Sequence, residues 1–399
     1  MTVAAIAAEY NPFHNGHAYQ IEETRSAGAT HIVAIMSGNF TQRGTPAAVE
    51  KRARTKAALA GGVDLVIELP LPYAMSTAQR FAYGVAAIAE GMGCVDVLSF
   101  GSESGYISIL QAAADSVDNP AVLARMGELL NTGITFARAR QQAVSEVCGD
   151  EIAETLGSPN DLLAVEYIRQ LRALKSNIAP FAIRRSGVRH DEHIARGDIA
   201  SASFLRALMR SGGPSALNGF MPNPSLDVMK KAAADGFTPY DETKLETAML
   251  AVLRRMTPEE LWLMPDISEG IENRIYAAIR QACTIDDVYS YAKSKRYTAA
   301  RIRRIIMSAF LGLKDDFGSS LPPYIRVLGF NSRGREVLAK MKNTATLPVS
   351  DSLAYLRKIN RRCAEVADME ARSTDLYMLG LPIQSPCGFD FTADSIRDL

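Results

Sequence analysis

The stretch Ala8-Glu9-Tyr10-Asn11-Pro12-Phe13-His14-Asn15-Gly16-His17 follows an apolar run, Val3 to Ala8, and precedes a helical run, Ala18 to Ser26. Buried strand, turn, then helix is the opening of a βα unit. Asn11-Pro12 marks the turn, and Pro12 cannot donate to a sheet ladder. Gly16 carries no side chain, so a bulky group can approach the backbone there. His14 and His17 flank it at the mouth of the new helix. A helix N-terminus offers free N–H groups and a positive dipole end, which together favour phosphate. Imidazole N–H groups can add hydrogen bonds to charge developing on a phosphoryl group in flight. The competing reading is a metal half-site or a pair of surface imidazoles. The chain has only five histidines and two fall in this turn, no cysteine is near, and the nearest carboxylate, Glu9, lies across it. Nucleotide binding is the favoured reading.

The first half of the chain alternates apolar and helical runs. Val3–Ala8, His31–Met36, Val63–Leu69 and Val95–Phe100 read as buried strands, with helices around 18–26, 49–60 and 77–91. This alternation predicts βαβ units and a parallel sheet covered on both faces. Ligands in such folds sit at the carboxyl ends of the strands. The rule gathers four segments round one crevice: the 14–17 turn and the loops after Met36, Leu69 and Phe100. The loop after Met36, Ser37-Gly38-Asn39-Phe40-Thr41-Gln42-Arg43-Gly44, carries Arg43, which can steady a carboxylate or a leaving pyrophosphate. Lys51, Arg52, Arg54 and Lys56 follow and read as a solvated helix face. After Phe100, Gly101 and Ser102 would let adenine or ribose pack on the backbone. Glu103 would take ribose hydroxyls or cap the next helix.

Residues 106–147 read as helical. Ser158 is an N-cap candidate with Pro159 at the first helical position. Leu163, Tyr167, Leu171 and Leu174 then make a core face, and Asn160 is either structural or reaches the nucleotide. A further strand, 179–183, runs into Arg184-Arg185. His190, Asp191, Glu192 and His193 have the donor types for a divalent ion, but the exposed-loop reading is preferred, with Mg2+ entering through ATP phosphates. Ile199-Ala200-Ser201-Ala202-Ser203-Phe204-Leu205-Arg206 opens a helix with small hydroxyl residues and sets Arg206 about one turn in. A Gly/Pro-rich stretch, 211–224, predicts a boundary. Beyond it helices are expected around 242–256, 270–282, 298–313 and 333–342, with short strands near 325–330 and 346–349.

Charge is uneven. The whole chain has 44 Lys+Arg and 44 Asp+Glu, yet Val288–Arg362 holds sixteen Lys/Arg against four Asp/Glu. At its centre are Lys293, Lys295, Arg296, Arg301, Arg303 and Arg304. Ile302, Ile305, Ile306, Ala309, Phe310 and Leu313 form an apolar stripe there, which leaves the arginines free for phosphates and Tyr291 and Tyr297 free to stack. Such a stripe is the electrostatic footprint of nucleic acid. Recognition by shape and backbone is expected, with the target base taken into the catalytic domain. The 399 residues suit two domains, 1–212 and 213–399, and 47% hydrophobic content suits a sizeable core. No apolar run reaches membrane length, no signal peptide is read, and five widely spaced cysteines suggest a reduced, cytoplasmic setting. The residues alone thus predict an ATP-using α/β domain joined to a basic, mostly helical one, and adenylyl transfer coupled to RNA.

His14-Asn15-Gly16-His17 resembles the HxGH signature of the nucleotidyltransferase superfamily. The longer Glu9–His17 string, with Met36–Gly44, is similar to the bacterial tRNA(Met) cytidine acetate ligase family, and the likeness runs over most of the chain. It implies a Rossmann-like catalytic domain and a tRNA-binding second domain. The implied reaction joins acetate and ATP into acetyl-adenylate, without coenzyme A. The acetyl group then passes to N4 of the wobble cytidine of elongator tRNA(Met). Under this likeness His14, His17 and Arg206 are catalytic. Ala8 to His17, Gly101, Asn160, Arg184, Arg185, Ser201 and Ser203 shape the ATP site. The 201–206 segment departs from the family's ISTxxxR pattern, because its two serines are not adjacent and no threonine is present. Which serine and which of Arg184 and Arg185 acts stays open. The alternatives are a cofactor-biosynthetic adenylyltransferase and a non-catalytic RNA-binding protein.

Overall fold

The computed structural model describes residues 1–185, 199–314 and 320–397. The 190–193 cluster of histidines and carboxylates lies outside them. β1 (Val3–Ala8) pairs in parallel with β2 (His31–Ser37) and β4 (Val97–Ser102). β2 pairs with β3 (Leu65–Leu69), and β4 with β5 (Ala179–Arg184). α1 (Asn15–Ser26), α2 (Lys51–Ala60) and α3 (Ala78–Met92) make the crossovers between the first four strands. Successive side chains of a strand point to opposite faces. Val3 and Ala5 therefore join Val33, Ile35, Leu65 and Ile67 in one core, while Ala4 and Ile6 join Ile32, Ala34 and Val66 in another. Both faces are covered, which is why these strands read as unbroken apolar runs.

The strand order is β5-β4-β1-β2-β3-β6-β7. The chain leaves β1 first toward β2 and β3, then returns past it to β4 and β5. The crevice between β1 and β4 is the topological switch point, where a ligand has room beyond the strand ends. α4 (Pro159–Ala173) follows β4, and α5 (Ala202–Gly212) and α6 (Asn223–Ala234) follow β5.

Residues 245–313 form a helical unit with its own core, built onto Phe40, Leu71 and Met75 from the loops after β2 and β3 and closed by Met369, Tyr377 and Leu381. Its central helix is α7 (Ala299–Leu311). The loop after β3 thus turns straight into this core instead of lining the crevice. The chain beyond 212 is mostly helical, as expected, but not wholly separate. β6 (Ile325–Phe330) adds antiparallel to β3, and β7 (Val349–Ser350) and β8 (Ile396–Arg397) pair with β6. The sheet is therefore mixed rather than parallel throughout. α8 (Ser332–Thr344) and α9 (Arg361–Met378) complete the return. β6 brings Arg326 opposite Glu68, so a buried cation meets a buried carboxylate across the ladder at 2.7 Å. No helix among the described residues is long and apolar enough to cross a membrane.

Candidate functional site

The turn after β1 is fixed by its own histidines. His14 is the N-cap of α1, and its Nδ1 accepts the Gly16 N–H at 3.1 Å. His17 reaches back, and its Nδ1 accepts the His14 N–H at 3.2 Å. The arrangement is a capping box made of imidazoles rather than Ser and Glu. It fixes the tautomer by deduction: in a neutral ring whose Nδ1 accepts, the proton sits on Nε2. The two rings stack at 3.8 Å, so both Nε2–H donors face away from the backbone side by side. A Cβ on Gly16 would lie 2.9 Å from the His14 ring, so only glycine allows this approach.

The helix end itself is less free than its position suggests. The Asn15 N–H donates to Phe220 O, that of Gly16 to His14 Nδ1 and that of His17 to His14 O. The expected free N–H groups are therefore taken, and the donors on offer are the imidazoles. Burial, with Arg185 and Arg206 nearby, pushes His14 down to about 3. Burial, then His14 and Arg185, holds His17 well below its usual range. Both rings are neutral donors at physiological pH.

Tyr10 and Phe13 do not reach the crevice. Their rings meet edge-on at 5.0 Å and are buried in the core, with His17 lying 4.8 Å from Tyr10. Tyr10 turns inward through a positive φ of 47°. Asn11 is also buried. Its Oδ1 accepts the Ala48 N–H and its carbonyl accepts Arg206 Nη1 at 3.0 Å. Arg206 is thereby aimed across the turn, with Arg43 close enough to repel it. Of the two adjacent arginines, Arg185 is the one whose charge is felt by both histidines, and it lies along Gly101, 3.4 Å from where a Cβ would stand. Arg184 instead backs onto Gly105. Ser201 caps α5 by accepting the Phe204 N–H, and the Ser203 hydroxyl lies 2.9 Å from the Ser201 hydroxyl.

Glu103 resolves as a cap, but of α4. Its carboxylate accepts the Asp161 N–H at 2.9 Å and the Asn160 side-chain amide at 2.6 Å. Asp161 returns the favour to the N–H groups of Glu103 and Ser104. Ser158 occupies the N-cap position without a side-chain cap bond, because Glu103 has taken that task.

The presumed solvated face of α2 contains the residues that sequence reading missed. Arg54 and Lys51 are almost fully buried. The Arg54 guanidinium donates to the carbonyls of Glu9, Ser37, Gly38 and Val49, so it ties the ends of β1 and β2 together behind the two site loops. Lys51 Nζ lies 2.7 Å from Glu68 and 2.6 Å from Asp390. Lys51, Arg54, Thr55 and Ala58 share one helical stripe, at spacings of three, one and three, and all are buried. An apolar partner on the same stripe as the charges was the available signal.

The basic run around α7 is also partly internal. Arg304 Nε lies 2.6 Å from Asp266, Arg301 holds Asp266 O and Ser268, and Tyr297 is buried with its hydroxyl on Glu269 O. These groups pin a loop whose Asp266 and Glu269 have positive φ, so the expectation that they are free is not met. Arg303 stacks on Tyr289. Lys293, Lys295, Arg296 and Tyr291 stay exposed. A Cβ on Gly44 would strike the Arg304 backbone at 2.5 Å, so the loop after β2 rests directly on this helix.

A sequence profile described as HIGH Nucleotidyl Transferase matches residues 1–387. A tRNA(Met) cytidine acetate ligase of Caldanaerobacter subterraneus subsp. tengcongensis is 38% identical over 386 residues, covering 95% of each chain. One of Thermoanaerobacter sp. (strain X514) is 36% identical over the whole of both chains. Among solved structures, Thermotoga maritima TmcAL bound with alpha-thio ATP superposes with a TM-score of 0.92 at 31% identity, covering 100% of this chain and 99% of the other.

Proposed function

The chain belongs to the HIGH nucleotidyl transferase family and, within it, to the tRNA(Met) cytidine acetate ligases, and from that membership we propose the following roles for its residues. It is an ATP-dependent ligase that forms acetyl-adenylate and acetylates the wobble cytidine of elongator tRNA(Met) at N4. The observation that carries the assignment of the catalytic centre is the stacked pair of neutral Nε2–H donors on the β1 turn.

An acetate oxygen attacks the α-phosphorus of ATP. A new P–O bond forms, the bond to the β-phosphate oxygen breaks, and pyrophosphate leaves. This step needs positioning and charge stabilisation rather than a covalent partner. His14 and His17 donate to the phosphate oxygens as charge builds on them. Because both are already neutral donors, no proton has to move first. Arg206 and Ser203 hold the leaving pyrophosphate, with Ser201 stiffening the helix start. Arg43 sits at the acetate or pyrophosphate side. Gly101, Asn160 and Arg185 bound the adenosine end, with Arg184 behind them. The other turn residues, Ala8 to Phe13, act through the backbone course they impose. The site presents donors and cations, so Mg2+ would enter with the triphosphate and screen its charge rather than be held by this turn.

In the second step the cytidine N4 amine, a poor nucleophile, attacks the activated acetyl carbonyl. The C–N bond forms, AMP leaves, and the amine proton is lost. Lys293, Lys295 and Arg296 draw the tRNA backbone to the helical unit, with Arg301, Arg303 and Arg304 shaping that surface. The contact between Gly44 and α7 supports this reading, since RNA held there lies beside a site loop. The reaction belongs in the cytoplasm, where tRNA is modified.

The test is transfer of labelled acetate to unmodified tRNA(Met) with ATP and without coenzyme A. We expect label in the tRNA. His17→Ala should lower acetate-dependent ATP–pyrophosphate exchange about 10²–10³-fold, the usual cost of one charge-stabilising donor. Exchange with some other small acceptor and no label in tRNA would support the adenylyltransferase alternative.

A further inference from the structure

A second cavity lies away from the histidines, between α2, α6 and the segment around Phe389. Its volume is about 170 Å³. Drug-sized ligands occupy roughly 300–1,000 Å³, so this space suits a single ring system. Its walls are of two kinds. Phe237 and Phe389 tilt together at 6.3 Å, both half-buried, and the Arg52 guanidinium sits 5.9 Å from the Phe389 ring. Lys56 and Lys231 stand exposed at the rim, against the one exposed acid, Asp235.

Glu50 fixes the helix start beside the cavity. One carboxylate oxygen, Oε2, accepts the N–H groups of Arg52 and Ala53 and so caps α2. The other, Oε1, is buried with no hydrogen-bond partner among the described residues. The same segment touches the phosphate turn: the Ala48 N–H donates to Asn11 Oδ1, and the Glu50 N–H donates to Phe237 O.

Aromatic faces and a cationic rim are what holds an unstacked base of a single-stranded nucleic acid. We propose that this cavity takes one nucleobase of the RNA substrate flanking the modified cytidine. Its ring lies against Phe389 and its phosphates face Arg52, Lys56 and Lys231. The inference rests on the tRNA reading given above. Two of its three cations, Arg52 and Lys56, belong to the catalytic half of the chain, so it is a second grip on the RNA besides the run at 293–296.

The experiment uses the full chain and tRNA(Met) transcripts carrying 2-aminopurine in turn at each position adjoining the target cytidine. Phe389→Leu keeps the apolar volume and removes the aromatic face, and Lys231→Glu reverses a rim charge. We expect fluorescence at one adjoining position to change on binding to the unaltered chain and to stay unchanged with either variant. KM for tRNA should rise about tenfold, the scale of one lost stacking contact, while acetate-dependent ATP–pyrophosphate exchange keeps its rate. A KM and a fluorescence change on binding that are the same in both variants as in the unaltered chain, with the unaltered chain still acetylating the transcript, would overturn the cavity alone. A parallel loss of exchange would mark a structural role and overturn it too. No acetylation by the unaltered chain would remove the premise, and the proposal with it.

Discussion

Two runs of basic residues look alike in the sequence and end in opposite surroundings. Lys51, Arg52, Arg54 and Lys56 put four cations into six positions of one helix. Lys293 to Arg304 puts six into twelve. In the first run Lys51 and Arg54 are sealed inside, while in the second the first three cations remain in water and two of the last three are half-buried on a loop. The supply of acceptors decides the outcome. α2 begins where β1 and β2 end, so unpaired carbonyls meet Arg54 and two carboxylates meet Lys51. The later run meets only one acidic turn, and the surplus stays outside. Local charge density alone does not say whether a cation faces water.

The contrast can be broken most sharply at Lys51. Lys51→Met should cost about 3–5 kcal/mol in urea unfolding, because removing one partner strands buried charge. Lys56→Met, one helical turn away and exposed, should stay within about 0.5 kcal/mol. Equal effects would erase the distinction between the two runs. Arg54→Lys keeps the charge but loses the fan of donors. It should cost about 1–3 kcal/mol and raise KM for ATP in the exchange reaction, leaving the salt dependence of tRNA binding unchanged. The triple change of Lys293, Lys295 and Arg296 to Ala should do the reverse. Stability and acetyl-adenylate formation should hold, while the slope of log affinity against log salt becomes shallower by about 2–3.

A further effect concerns pH. Burial, reinforced by Glu68, pushes the Glu370 carboxyl up to about 8. The folded chain then holds a proton that the unfolded chain releases near the ordinary carboxyl value of 4.5. Where the native state binds more protons, stability falls as pH rises. The melting temperature should therefore decline between about pH 5 and 8 through this group, and Glu370→Gln should flatten that decline. An unchanged slope would mean that the cluster around Lys51 balances its charge without the proton.

The strand–turn–helix at the start of the chain was legible because each device in it is local. Apolar runs mark the strands, Pro12 and Gly16 mark the turn, and two histidines mark the mouth of the helix, though not that they cap it. A crevice at the strand ends followed from the alternation, but the strand order that places it between β1 and β4, and the turning of the loop after Leu69 into the helical core, did not. What stayed hidden depends on pairings across hundreds of residues. Nothing near Glu68 announces Arg326, and nothing near Lys51 announces Asp390. The antiparallel return of β6 was invisible for the same reason: its six residues read as a short strand, with no sign of which edge they join. Glu103 was read as one of two things and proved to cap a helix 57 positions on.

The Lys51–Asp390 pair also sets a timetable. The partners are 339 residues apart, so at the usual pace of about 5–20 residues per second the ammonium waits roughly 17–70 s of synthesis for its second carboxylate. Through most of that interval β3 ends the sheet with an open edge, until β6 is made. Open edges invite other strands. A nascent chain thus carries its catalytic turn early and its open edge long, and the buried lysine gains its last counter-charge only after the strand that closes the sheet has been made.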